Sequence, residues 1–276
     1  MTEHYVEYCE INREHPLRQG DILEATAAAA LPWNRHLFVV TADCDFAHTK
    51  HQGRVTCIPL LRAEEYLLLL QVPKMRERLI KGPLKDLRAV FDTVGRTSIS
   101  DRRAREWASE QSTAAIVTTL GLDGQESARA QSAIDAIRLM DAPVESLRAA
   151  VATLVEAQVL EAGQSKRDKV ARSIISELRQ VYKSPPGDAL FLGAIAPAHE
   201  DGYFAYLRHI EQIWEPQIVL SAARQQASYR RISHLKDKFT HALVQRFALV
   251  FMSIGLPDEY EEMRDFHSVV LGDSLQ

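Results

Sequence analysis

The segment Val39-Val40-Thr41-Ala42-Asp43-Cys44-Asp45-Phe46-Ala47-His48 places two carboxylates, a thiol and an imidazole directly after an apolar run. Strand ends are favoured places for chemistry, because the scaffold fixes the backbone while the following loop leaves side chains reachable. Carboxylate, thiolate and imidazole are ligand types for zinc and related ions. Asp43, Asp45 and His48 are therefore candidate ligands of a divalent metal, and His48-x-x-His51 would suit two ligands on a turn. Read as a continuing strand, the segment turns Cys44 to one face and Asp43 with Asp45 to the other. The two carboxylates would then stand about 7 Å apart, a spacing suited to a cation or to acid–base work. In the plainer alternative Cys44 is a small buried hydrophobe and the acids cap turns. As a nucleophile Cys44 needs a base, with His48, His199 or His209 as candidates, but two adjacent acids oppose thiolate formation.

A second group of side chains is basic. Arg35, Arg54 and Arg62 flank the first strands, and Arg224, Tyr229, Arg230, Arg231 and His234 cluster later. Arginine beside an aromatic ring suits phosphate contact with base stacking; the alternative is a solvated, salt-bridged face. Lys74-Met75-Arg76-Glu77-Arg78 and Arg102-Arg103-Ala104-Arg105 are followed or interleaved by acids and read as helix surface. No Walker-type loop or Rossmann fingerprint occurs, which argues against a nucleotide-hydrolysing motor.

The totals narrow the class. The 276-residue chain has 46% apolar and 25% charged residues with a formal net charge of -4. That balance fits an ordinary globular protein and disfavours one that coats nucleic acid through bulk positive charge. The first residues lack the basic flank and apolar core of a secretory signal, and no run approaches the roughly 20 apolar residues of a membrane span. Cys9, Cys44 and Cys57 are too few for a disulfide scaffold, so a cytoplasmic protein with reduced thiols is expected.

Three textures position these residues. Up to about residue 71 the chain reads as β, with runs at 21–23, 36–41 and 54–60 rich in strand formers. Pro59 marks an edge or a strand terminus. Residues 63–182 read as helical, with Ser100 as an N-cap and an apolar stripe of Leu147, Val151, Leu154 and Val155; Pro73 should interrupt the first helix. Ser184-Pro185-Pro186-Gly187-Asp188 punctuates the chain before strands at 189–195, 203–208, 217–220 and 229–235. One amphipathic helix from Lys236 to Ile254 follows, closed by Gly255-Leu256-Pro257, and the tail beyond Glu262 reads as irregular. Too few strands lie on either side to bury a sheet face alone. The economical arrangement is an α+β protein whose barrel or curled sheet uses both segments, 1–71 and 184–276, with 72–183 as a helical insertion. Two separate domains are the alternative.

Gly20-Asp21-Ile22, Arg35 before the run 36–41, and Val55-Thr56-Cys57-Ile58-Pro59-Leu60 together resemble the opening of the MazF/PemK family of toxin endoribonucleases. The resemblance implies an SH3-like β-barrel, with Arg35 at the family's catalytic arginine position. The family's threonine two residues after the proline is replaced by Leu61, and the helical insertion departs from the family's compact chain. The whole layout also resembles uncharacterised bacterial proteins of mobile-element and phage-conflict settings.

Three functions follow as expectations. The first is a regulatory or interaction protein of a bacterial conflict system (toxin or antiphage defence), binding a protein or nucleic-acid partner through barrel loops and self-associating through its helices. The second is a MazF-like endoribonuclease with an altered site, using Arg35 and a nucleic-acid face of Arg54, Arg62, Arg230 and Arg231. The third is a hydrolase with a divalent metal at Asp43, Asp45 and His48. No other cofactor is expected.

Overall fold

A computed structural model describes residues 6–11, 15–96, 99–219, 227–252, 260 and 262–268. The protein is α+β, 57% helical and 17% strand, with a curled, largely antiparallel half-barrel sheet. The described strands are β1 (Tyr8–Cys9), β2 (Asp21–Ala25), β3 (His36–Val39), β4 (Arg54–Arg62), β5 (Ala189–Leu192), β6 (Tyr203–Tyr206), β7 (Glu211–Trp214), β8 (Ile218–Val219) and β9 (Tyr229–Leu235). They join in the order β1-β9-β2-β3-β4-β6-β5, while β7 adds to β4 and β8 runs parallel to β9. Strands from both sides of the helical segment thus share one sheet.

Gly20 opens β2 with φ +94°, and a Cβ there would lie 2.6 Å from Thr240 Oγ1, so only glycine fits. Pro59 lies inside β4 rather than at its end. β4 pairs with β7 as far as Cys57 and with β6 from Leu60, which leaves Pro59 in the gap between two partners. Val40 donates to Thr56 O across β3–β4, and backbone alternation then aims residue 59 away from β3. A residue without an N–H costs no ladder bond at that point.

Helices α1 (Pro32–Arg35) and α2 (Asp43–Ala47) are single turns between strands. The helical segment then runs through α3 (Ala63–Tyr66), α4 (Val72–Leu79), α5 (Lys81–Thr93), α6 (Asp101–Glu110), α7 (Thr113–Leu120), α8 (Gly124–Asp141), α9 (Leu147–Ala162) and α10 (Arg167–Lys183). Pro73 does not break the first of these. A π-helical turn, Leu67–Gln71, joins α3 to α4 and puts Pro73 in the first turn of α4, where a missing N–H is tolerated. Ser100, Ser112 and Ser146 cap α6, α7 and α9 by accepting backbone N–H bonds.

One core cluster lies wholly among the helices, around Leu87, Phe91, Ile134 and Ile137. A second joins helices to sheet, packing Tyr66, Leu154 and Leu178 against Leu61 and Phe204. Tyr66 stacks on Phe204 with centroids 4.2 Å apart. Two further clusters fill the sheet, and α11 (Asp237–Phe251) covers one of them through Leu243, Phe239 and Phe247. The proposed closure of α11 at Gly255-Leu256-Pro257 lies outside the described residues, and 262–268 are helical rather than irregular. Among the described residues no helix is long and apolar enough to cross a membrane.

Candidate functional site

The Asp-Cys-Asp segment folds as α2, not as a strand end, and this reverses the expected facing. Successive helical residues are about 100° apart, so Asp43 and Asp45 diverge instead of sharing a face. Cys44 is exposed, not turned into the sheet. Asp43 accepts a bond from Gln19 N at 2.8 Å, fastening α2 to the turn before β2. His48 is exposed at the end of α2, where its N–H bonds to Cys44 O. Asp43, Asp45 and His48 do not bring their ligand atoms together in the structure.

His51 closes this end of the sheet. Its ring bridges Asp45 O at 3.1 Å and Glu215 Oε2 at 2.9 Å. The bond to Glu215 and then the carbonyl hold its pKa above the ordinary histidine value, against the opposing effect of burial. Beside it lies a cleft of about 460 Å³, with Leu17 and Phe46 as apolar lining and Arg18, Asp43, His51 and Glu215 as its polar groups. Trp214, the residue before Glu215, is 49% exposed. The Arg54 guanidinium sits 4.5 Å above that ring.

The arginines separate by environment. Arg231 is buried: it donates to Asp21 Oδ2 at 3.1 Å, Pro16 O at 3.0 Å and His15 O at 2.8 Å. Asp21 also accepts from His234 Nδ1 at 3.0 Å and from Arg18 N at 2.9 Å. Arg231 and His234 therefore brace β9 against β2 and offer no surface for phosphate. Arg35 pairs with Glu65, Arg230 pairs with Glu24, and Arg62 is exposed at the end of β4. Arg224 lies outside the described residues. Arg78 and Arg102 pair with Glu177 and Glu106 on the helix surface.

At the opposite end of β3 and β4, a different set of side chains converges. Glu24 on β2 faces His36 on β3 and Arg230 on β9 across the strands. His199, from the loop between β5 and β6, reaches Glu24 Oε1 at 3.1 Å, and His36 Nε2 lies 3.6 Å from the same oxygen. Among the described residues, Glu24, His36 and His199 are the group of three whose ligand atoms lie within 4.8 Å of one another. Burial and the charges of His199, Arg62 and Arg35 push the pKa of His36 down to about 4, although Glu24 opposes this. Burial pushes the Glu24 carboxyl up, yet bonds from Arg230 and His199 outweigh it and leave the pKa below the usual range. Tyr203 stands edge-on to His36 with centroids 5.4 Å apart.

Sequence reasoning found His199 only as a base for Cys44 and missed Glu24, His36 and Trp214. An acid ending the run Asp21-Ile22-Leu23 and a histidine starting the next strand were visible signals, but only the β2–β3 register pairs them. The fold and sites define an α+β protein with two separate polar centres on one curled sheet. No family model matches the chain, and comparison with curated proteins and with solved structures gives no match.

Proposed function

We propose that the protein is an interaction module whose sheet, an SH3-like barrel, presents a protein-binding surface at the α2 end. The exposed Trp214 ring carrying Arg54, adjacent in the chain to Glu215 of the cleft, supports this reading best. Tryptophan and arginine are the residues that most often dominate binding energy at protein interfaces. A protein partner is favoured over nucleic acid because Asp43, Asp45 and Glu215 lie at this end of the sheet, and acids there repel phosphate. Of the arginines expected to bind nucleic acid, Arg35, Arg230 and Arg231 are engaged with Glu65, Glu24 and Asp21. The ribonuclease reading is weaker for the same reason, and because buried Leu61 stands at the threonine position. The bacterial conflict setting rests on the resemblance in layout alone.

The test compares Trp214→Ala with the unaltered protein in a bacterial lysate, followed by titration of the purified partner. Loss of a central aromatic anchor should weaken a protein partner by about 2 kcal/mol, roughly 30-fold. Binding of single-stranded RNA that falls in the same variant, with no protein partner affected, would overturn the reading.

A further inference from the structure

We propose that Glu24, His36 and His199 form a binding site for a divalent transition metal of the zinc class. This goes beyond the interaction surface, which lies at the other end of the strands.

The spacing fits such an ion. Ligands at about 2.0–2.1 Å around a tetrahedral centre stand roughly 3.3–3.4 Å from one another. The two imidazole-to-carboxylate distances, 3.1 and 3.6 Å, bracket that value. Two of the three groups are also delivered by the sheet rather than by a pliable surface, and His199 is held from its loop by the bond to Pro197 O. Glu24 and His36 are directly opposed on β2 and β3, so their side chains share one face.

Hydrogen bonding supplies independent support. His36 is 2% exposed, and its Nε2 has no hydrogen-bond partner. Leaving a buried polar atom unpaired costs about 1–3 kcal/mol, and coordination would remove that cost. His199 Nδ1 lies 3.0 Å from Pro197 O. A carbonyl only accepts, so Nδ1 carries the hydrogen and a neutral ring turns the lone pair of Nε2 towards Glu24. Two lone pairs 3.1 Å apart repel unless a proton or a cation lies between them. A metal satisfies His199 and His36 together, whereas a proton on His199 leaves His36 unpaired.

The surroundings select the kind of ion. Arg230 holds Glu24 Oε2 through Nε at 2.7 Å, which aims Oε1 at the two imidazoles. Two nitrogen donors and one oxygen, with an arginine beside them, disfavour magnesium and calcium, which require mostly oxygen ligands. Two histidines and a carboxylate also leave coordination positions open, as in catalytic rather than purely structural zinc sites. His199 and Arg230 line a cleft of about 420 Å³, through which water or a small ligand could reach the site.

The experiment titrates the full-length, chelator-treated protein with Co(II) and reads the visible d–d absorption. The expected result is saturation at one equivalent, a spectrum of four- or five-coordinate cobalt, and displacement by Zn(II). His199→Gln, placed on a loop to spare the core, should lower the affinity at least about 100-fold while far-UV circular dichroism stays unchanged. Glu24→Gln should weaken binding in the same way. Absence of a stoichiometric cobalt spectrum would overturn the proposal, as would affinity unchanged in both variants. A spectrum lost in Asp43→Asn or His48→Gln, but kept in His199→Gln, would overturn it by moving the metal to α2. An imidazole ring of His199 that stays doubly protonated by NMR in excess Zn(II) would establish the ion pair instead.

Discussion

Replacing Arg231 separates bracing from binding. Arg231 and Asp21 have side chains 2% and 1% exposed, with 3.1 Å between Nη1 and Oδ2. At an effective dielectric of about 20, opposite charges at that distance attract by roughly 5 kcal/mol. Removing one partner of such a pair costs about 3–5 kcal/mol, because the other charge stays buried. Arg231→Met should fall at the lower end, about 3 kcal/mol, since His234 and Arg18 N still donate to Asp21. With a urea slope of about 2 kcal/mol per molar, the unfolding midpoint drops by roughly 1.5 M. Trp33 and Trp214 flank the sheet while Trp107 packs among the helices. Fluorescence in a Trp107→Phe background therefore follows the sheet. Asp21→Asn combined with Arg231→Met should lose less than the sum of the single changes, with a coupling of about 2 kcal/mol or more. A midpoint shift below about 0.25 M, accompanied by weaker RNA binding, would refute the bracing role and restore Arg231 as a nucleic-acid contact.

Two other consequences are direct. His51 has its pKa raised by Glu215 and Asp45 O, so its stabilisation is complete below the unfolded value of about 6.5 and disappears as pH rises through the higher folded value. His51→Gln should flatten the fall in urea midpoint on the alkaline side of that value; an unchanged slope would show that another group is responsible. Cys9 and Cys44 are exposed and Cys57 is buried, with burial raising the Cys57 pKa. Native protein should thus take up two equivalents of a maleimide and unfolded protein three; protection of Cys44 in the native state would contradict the exposed α2.

Much of the framework was legible because it depends on local chemistry. Ser100 marked the start of α6, and runs rich in β-branched and aromatic residues located β3, β4, β6 and β9. The joining of both chain ends in one sheet followed from the poverty of each set of strands. α2 was misread because Asp43-Cys44-Asp45-Phe46-Ala47 alternates polar and apolar residues over one turn, too short a window for the two periods to separate. Pro73 was misread because proline signals a break, while the π turn before it is a tertiary solution with no simple local code. The polar centres were hidden for a different reason. Glu24 meets His36 through strand register and His199 through a contact spanning 175 residues, and neither is encoded in spacing.

Strand direction keeps the two centres apart. β4 runs from Arg54, over the Trp214 ring, to Arg62, whose charge bears on His36. Eight residue steps of extended chain span roughly 26 Å. β3 repeats the polarity, with His36 at one end and the turn into α2 beyond the other. Between them the sheet contains Leu37, Phe38, Val39, Val55, Cys57 and Ile58, all fully buried. This packed interior separates the two sites, while Asp21, bonded to Arg18 N beside one cleft and to Arg231 beside the other, links them along β2 and β9. Partner binding at Trp214 and metal binding at Glu24, His36 and His199 use different side chains, and the failure of one leaves the physical case for the other intact.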